Sequence, residues 1–143
     1  MILNKKAGFE YFLYERFEAG IVLLGGEVKQ VKRNNADLSN SFAKFMDGEL
    51  FLFNANIPVP GKKDYHPTRP RKLLLHKSEV VSLVSQIKAK NLTFVPTKMY
   101  NKGRFIKVEL ALARSKKKFE KRDSIKKKDI NRDLEEQINN KYQ

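Results

Sequence analysis

The segment Arg69-Pro70-Arg71-Lys72 sets three cations in four positions, and Pro70 limits the backbone between the two guanidinium groups. A guanidinium fork takes two oxygens of one phosphate, so the chemistry on offer is recognition of a polyanion. Asn4-Lys5-Lys6 near the start, and Lys29, Lys32 and Arg33 further on, repeat that chemistry. So does the stretch from Arg114 to Gln143, with eleven Lys+Arg against six Asp+Glu. Each cluster alone is weak evidence, because charge runs are commonly just solvated surface.

Groups suited to catalysis are sparse. His66 and His76 are the two histidines, and cysteine is absent. Two distant imidazoles with scattered carboxylates do not make a zinc site. No phosphate-binding glycine loop, nucleophile elbow or dinucleotide fingerprint occurs. The expectation is a chain that is not an enzyme and takes no metal or cofactor. Glu18 and Glu27 flank the apolar run 20–24. A carboxylate at an RNA surface accepts hydrogen bonds from base amino groups or a 2′-hydroxyl; more commonly it pairs with a nearby lysine.

Composition narrows the partner. The 143 residues carry a formal net charge of +14. Each phosphate neutralised releases condensed counterions, so a polyanion is the default partner. A hydrophobic content of 41%, with ten Phe and five Tyr, supplies one compact body. No apolar run approaches the roughly 20 residues of a membrane span. The opening Met1-Ile2-Leu3-Asn4-Lys5-Lys6 has no signal-peptide core. A cytoplasmic protein with no membrane partner is expected.

The elements that must position these groups are legible in part. Phe9 to Leu24 reads as one bent strand or two short ones, with Gly20 at the bend and Gly25 and Gly26 as the stop. Glu27 to Arg33 reads as a short helix that turns Val28 and Val31 inward and its cations outward. Phe42 to Phe53 is a hairpin about Asp47-Gly48, a pair suited to a type I′ turn. Residues 54–72, punctuated by prolines, read as loop. Val80, Leu83, Val84 and Ile87 share one face of a helix from Ser78, its expected N-cap, to Lys90, with Asn91 as its stop. Leu92 to Tyr100 and Arg104 to Ala113 form a second hairpin, with Ile106, Val108, Leu110 and Leu112 on one face. Several antiparallel strands in about 110 residues favour a small closed barrel, which leaves no sticky edge; strand order stays open. The expected division is a body over 1–113 and a basic tail over 114–143.

Blocks in order along the chain carry a resemblance. They are Asn4-Lys5-Lys6-Ala7 with Glu10-Tyr11-Phe12, Phe17-Glu18-Ala19-Gly20-Ile21-Val22-Leu23, Gly25-Gly26-Glu27-Val28-Lys29 and Ser41-Phe42-Ala43. The most specific is Pro67-Thr68-Arg69-Pro70-Arg71-Lys72-Leu73-Leu74-Leu75-His76-Lys77, followed by Lys107-Val108-Glu109-Leu110-Ala111-Leu112-Ala113 and Lys116-Lys117-Lys118-Phe119-Glu120-Lys121-Arg122. Together they resemble the SsrA-binding protein (small protein B) family. Gly8 and Phe9 replace a frequent Arg-His, Ser115 stands where glycine is typical, Glu120 replaces Asp, and the loop before Arg69 is shortened.

The resemblance implies a mainly β fold: a six-stranded antiparallel barrel of oligonucleotide-binding-fold character with short flanking helices. It implies binding of the tRNA-like portion of transfer-messenger RNA and its delivery to stalled ribosomes for trans-translation, as a monomer and in company with elongation factor Tu. The RNA surface it implies comprises Asn4, Lys5, Lys6, Glu18, Glu27, Lys29, Arg69, Arg71, Lys72, Leu74 and Lys107; Lys32 and Arg33 join it as cations of the short helix that carries Lys29. Leu74 competes with a core role, since at least one of three consecutive leucines should be buried. The tail would occupy the decoding region and the empty mRNA channel through Lys116, Lys117, Phe119, Glu120, Lys121, Arg122, Ile130, Leu134 and Ile138. Ile130, Leu134 and Ile138 make a stripe too thin to hold an isolated helix, so disorder when unbound and a helix on the ribosome are expected. The rivals are a general ribosome-associated protein, a single-stranded RNA binder, and an RNA-modifying or hydrolytic enzyme using His66 or His76.

Overall fold

The computed structural model describes residues 1–117. Its elements are β1 (Ile2–Leu3), α1 (Ala7–Glu10), β2 (Tyr11–Ile21), α2 (Gly25–Lys32), β3 (Phe42–Met46), β4 (Glu49–Phe53), β5 (Arg71–Leu74), α3 (Lys77–Lys90), β6 (Thr93–Lys102) and β7 (Phe105–Ser115). The seven strands form one antiparallel sheet in the order β1-β6-β3-β4-β5-β2-β7, and β6 also pairs with β7. Six strands therefore return on themselves in a ring, with the strand number and antiparallel sense expected from the resemblance. The two-residue β1 lies outside the ring. It shares the β6 edge with β3: Ile2 faces Met99, and Ala43 faces Phe94.

Alternation drives the inner face. Val108, Leu110 and Leu112 of β7 are buried and meet Leu50, Leu52, Leu73, Phe94 and Met99 from the other strands. Phe17 and Phe45 stand edge-on to Phe94, at 5.3 and 5.7 Å between ring centres, a geometry aromatic quadrupoles favour. The first hairpin turns at Asp47 and Gly48, both with positive φ, and Met46 pairs with Glu49. This is the left-handed pair that a two-residue I′ turn demands. In α3 Leu83 reaches the core, with Ile87 packed beside it. Asn91 adopts φ +52° and ends the helix by donating its amide to the Ile87 carbonyl.

Several boundaries differ from expectation. Phe9 and Glu10 belong to α1, not to the strand. The irregularity of β2 lies between Leu13 and Arg16, where its register to β7 shifts, and not at Gly20. Gly25 and Gly26 open α2 as well as stopping the strand region. The N-cap of α3 is His76, not Ser78, and the Val80 amide donates to the His76 carbonyl. Arg71 and Lys72, placed at the end of a loop from sequence, open the strand Arg71–Leu74, which pairs with both β4 and β2. Asn4-Lys5-Lys6 follows the short strand β1. The last strand runs two residues past Ala113, with Ser115 opposite Tyr11.

Candidate nucleic-acid interface

Two exposed surfaces and one internal brace hold most of the residues named from sequence within 1–117. The brace comes first, because it sets α2. Glu27 and Arg71 are both fully buried. Arg71 Nε donates to Glu27 Oε2 at 2.8 Å, and its Nη2 lies 2.6 Å from the same oxygen. Its other N–H groups donate to the carbonyls of Ala55, Pro67 and Arg69. Arg69 adds a second guanidinium on Glu27, and Tyr65 Oη lies 2.8 Å from Oε2. The Leu24 amide donates to Glu27 Oε1 at 2.8 Å, which caps α2. Burial opposes the charged carboxylate. The hydrogen bonds from Arg69, the Leu24 amide, Arg71 and Tyr65 outweigh it and hold the Glu27 carboxyl at about 2.

This corrects two expectations. Glu27 and Arg71, expected on an exposed surface, are instead buried, and each is the other's counterion. Asn4 is a third inward residue: it is 8% exposed, and its Nδ2 donates to the Pro96 carbonyl at 2.8 Å. Arg69 is half-buried and committed to Glu27.

The first exposed surface lies where the N-terminus meets the end of α2. The Met1 amino group donates to Asn34 Oδ1 at 2.9 Å, just past α2. Lys6 acts on Asp37, whose carboxyl is lowered chiefly by its bonds from Ser39 and further by the Lys6 charge. Lys5, Lys6, Lys29, Lys32 and Arg33 are all exposed. Lys29 and Arg33 are four apart and share a helix face.

The second surface is the outer face of β2, β7 and β6. Lys107 stands between Gly20 of β2 and Tyr100 of β6, and Gly20 also faces Leu74 of β5. A Cβ on Gly20 would meet Leu74 Cβ at 3.3 Å, so the bare backbone admits Leu74 and the Lys107 ammonium to one place. Leu74 is 51% exposed, whereas Leu73 beside it is core at 3%. A groove of about 690 Å³ opens here, lined among others by Glu18, Leu74, His76, Phe105 and Lys107. Tyr100 Oη donates to Glu18 Oε2, and Lys102 Nζ lies 3.3 Å from Oε1. The Tyr100 bond is the main cause that lowers the Glu18 carboxyl, with Lys102 and Lys107 adding to it. Burial first, then the same bond, pushes the Tyr100 hydroxyl up to about 12. Beside this group Glu109 gathers Thr97, Arg16 and Lys98, with Thr97 Oγ1 at 2.6 Å.

The structure thus brings Glu18, Leu74 and Lys107 together, and Lys72 stays apart in an exposed pair with Glu49 at 3.1 Å. The alternation of the last strand sets Phe105 on the face of Lys107, though sequence reasoning did not count it in the site, and it missed Tyr100 and Lys102. The same alternation, extended across the turn, would have put these two beside Lys107. His66 and His76 are exposed, and no group of three metal-ligating side chains occurs among the described residues. No described helix is long and apolar enough to cross a membrane. Lys116 and Lys117 close the described chain. Phe119, Glu120, Lys121, Arg122, Ile130, Leu134 and Ile138, with the expected tail conformation, lie outside the described residues.

The family model described as SmpB protein matches residues 1–140. The chain belongs to the SmpB family. An SsrA-binding protein of Thermosipho melanesiensis is 46% identical over 140 residues, covering 94% of this chain and 95% of the relative. One from Shouchella clausii is 44% identical over 138 residues, covering 94% and 88%. One from Geobacter metallireducens is 46% identical over 134 residues, covering 92% and 88%. A solved SmpB chain, from a structure described as "tmRNA-SmpB: a journey to the center of the bacterial ribosome", superimposes with a TM-score of 0.66 at 45% identity. The match covers 82% of this chain and 85% of that one. The mainly β architecture of this SmpB-family chain therefore has an experimental counterpart.

Proposed function

We propose that this chain binds the tRNA-like part of transfer-messenger RNA and brings it to stalled ribosomes for trans-translation. The observation that carries the reading is the meeting of Glu18, Leu74 and Lys107 around the backbone of Gly20, in a chain of the SmpB family. A carboxylate, an apolar side chain and an ammonium at one groove match what folded RNA offers: a 2′-hydroxyl or base amino group, an unstacked base, and a phosphate. The cations at the end of α2 add a second electrostatic handle.

Glu27, Arg71 and Asn4 hold this surface rather than touch the RNA. The basic tail over 114–143 extends the reading to the ribosome, where it occupies the decoding region and the empty mRNA channel. Phe119 stacks there on a ribosomal RNA base. Elongation factor Tu accompanies delivery, one copy of the chain acts per RNA, and the compartment is the cytoplasm. Support for these finer points is the family resemblance and the basic composition of 118–143. The chain contributes binding and no catalytic step.

Capturing the chain from its own cells and sequencing the attached RNA tests the reading. Transfer-messenger RNA is the expected dominant species. Ribosomal RNA alone would leave a general ribosome-associated protein, and unselective fragments would leave a single-stranded RNA binder.

A further inference from the structure

The end of the last strand is fastened to the body by an aromatic ring. Phe12 of β2 stands opposite Arg114 of β7. Its ring carries the Arg114 guanidinium at 4.7 Å and the Lys116 ammonium at 4.9 Å. The negative face of an aromatic ring attracts cations at such distances. Lys116 is held twice more: its amide donates to the Glu10 carbonyl at 2.9 Å, and its Nζ to the Gly8 carbonyl at 3.1 Å. All of this lies past Ala113, where the alternating apolar pattern of β7 stops.

Phe12 belongs to neither apolar core cluster and takes no part in the groove around Gly20. A half-buried ring outside both needs another explanation. We propose that Phe12 is a positioning residue: it grips Arg114 and Lys116, so that α1 and β2 set the direction in which residues 118–143 leave the body. The proposal rests on the reading that those residues act on the ribosome. It gives Lys116 an intramolecular duty in place of a purely ribosomal one. A segment that must find one channel searches fewer directions when its root is held, which raises its effective concentration there.

Four full-length or near-full-length proteins test this: the natural chain, Phe12→Leu, Phe12→Tyr, and a truncation after Lys117 that keeps the whole strand ring. Leucine keeps apolar bulk without a ring, and tyrosine keeps the ring. Three quantities are read: affinity for transfer-messenger RNA, peptide tagging on stalled ribosomes, and amide-nitrogen NMR relaxation at Lys116. Phe12→Leu should bind the RNA within about twofold of the natural chain, as expected of a change outside the core. Its Lys116 order parameter should fall from about 0.85 to below about 0.6. Tagging should fall roughly fivefold, the scale of losing exposed cation–ring contacts. Phe12→Tyr should restore both.

Natural tagging by Phe12→Leu, where the truncation abolishes tagging, overturns the clamp and leaves the tail reading standing. Tagging undisturbed by the truncation overturns the tail reading itself. A Phe12→Leu defect that extends to RNA affinity, or that tyrosine fails to repair, also overturns the clamp, because the residue then serves the body.

Discussion

Glu27 and Arg71, 44 positions apart in the chain, form an ion pair with neither side chain open to solvent. The pair joins the start of α2 to β5, and Arg71 carries the bond on to the loop carbonyls of Ala55 and Pro67. A charge buried this way is stable only while its partner stays. Glu27→Ala leaves the buried Arg71 guanidinium without its counterion and strips Arg69 of its carboxylate partner. We predict a loss of about 3–5 kcal/mol in unfolding free energy, read by urea titration. A loss below about 1 kcal/mol, the level of a surface pair, would show that the pair does not brace α2.

Acid should find the same brace. The folded Glu27 carboxyl sits at about 2, below its ordinary 4.5. A depressed carboxyl contributes stability that is complete above its unfolded value and is lost as pH falls through its folded value. The contribution should therefore fade between about pH 4.5 and pH 2. Glu27→Gln, compared with the natural chain by thermal melting across that window, should show a flatter pH dependence. Equal slopes would contradict the assignment.

Adjacent leucines should behave oppositely. Leu73→Ala empties a core site and should cost about 2–5 kcal/mol. Leu74→Ala, at a side chain 51% exposed, should change stability by no more than about 0.5 kcal/mol. It should nonetheless weaken binding of transfer-messenger RNA. Melting and filter-binding curves on the two variants decide this, and unchanged RNA affinity for Leu74→Ala would remove that residue from the interface.

Tyr100 holds the Glu18 carboxylate by a hydrogen bond. Tyr100→Phe removes only the hydroxyl. Losing one bond to a charged group should weaken RNA binding roughly tenfold if Glu18 touches the RNA. Binding within error of the natural chain, measured by calorimetry, would mean that Glu18 needs no such orientation.

Phosphate contact leaves a signature in salt. With about five phosphates engaged, log affinity against log salt should slope by several units, and Lys32→Ala or Arg33→Ala should each lower the slope by about one. A slope near zero would rule out a phosphate-dominated grip.

Periodicity made the two hairpins and α3 legible, because their apolar residues repeat at two and 3.6 positions without interruption. Strand β5 escaped for a physical reason. It alternates buried and exposed, but its first inward slot holds Arg71, so a search for apolar residues saw a charged loop. Elements as short as β1 and α1 carry too few residues to show a period. At the interface, family blocks pointed to Glu18, Leu74 and Lys107, and the strand register brought them together. The same blocks could not distinguish an arginine that meets RNA from one that meets Glu27. That depends on a contact across 44 residues, which local pattern does not encode.

The ring of strands is unevenly sewn. β3 and β6 meet at one register pair, Ala43 opposite Phe94, whereas β6 and β7 share nine. Local opening follows the thinnest join, so the amides of β3 should exchange with heavy water well before those of β7. A pull on the chain would part the molecule along that seam and leave the long β2–β7–β6 face as the last piece to yield.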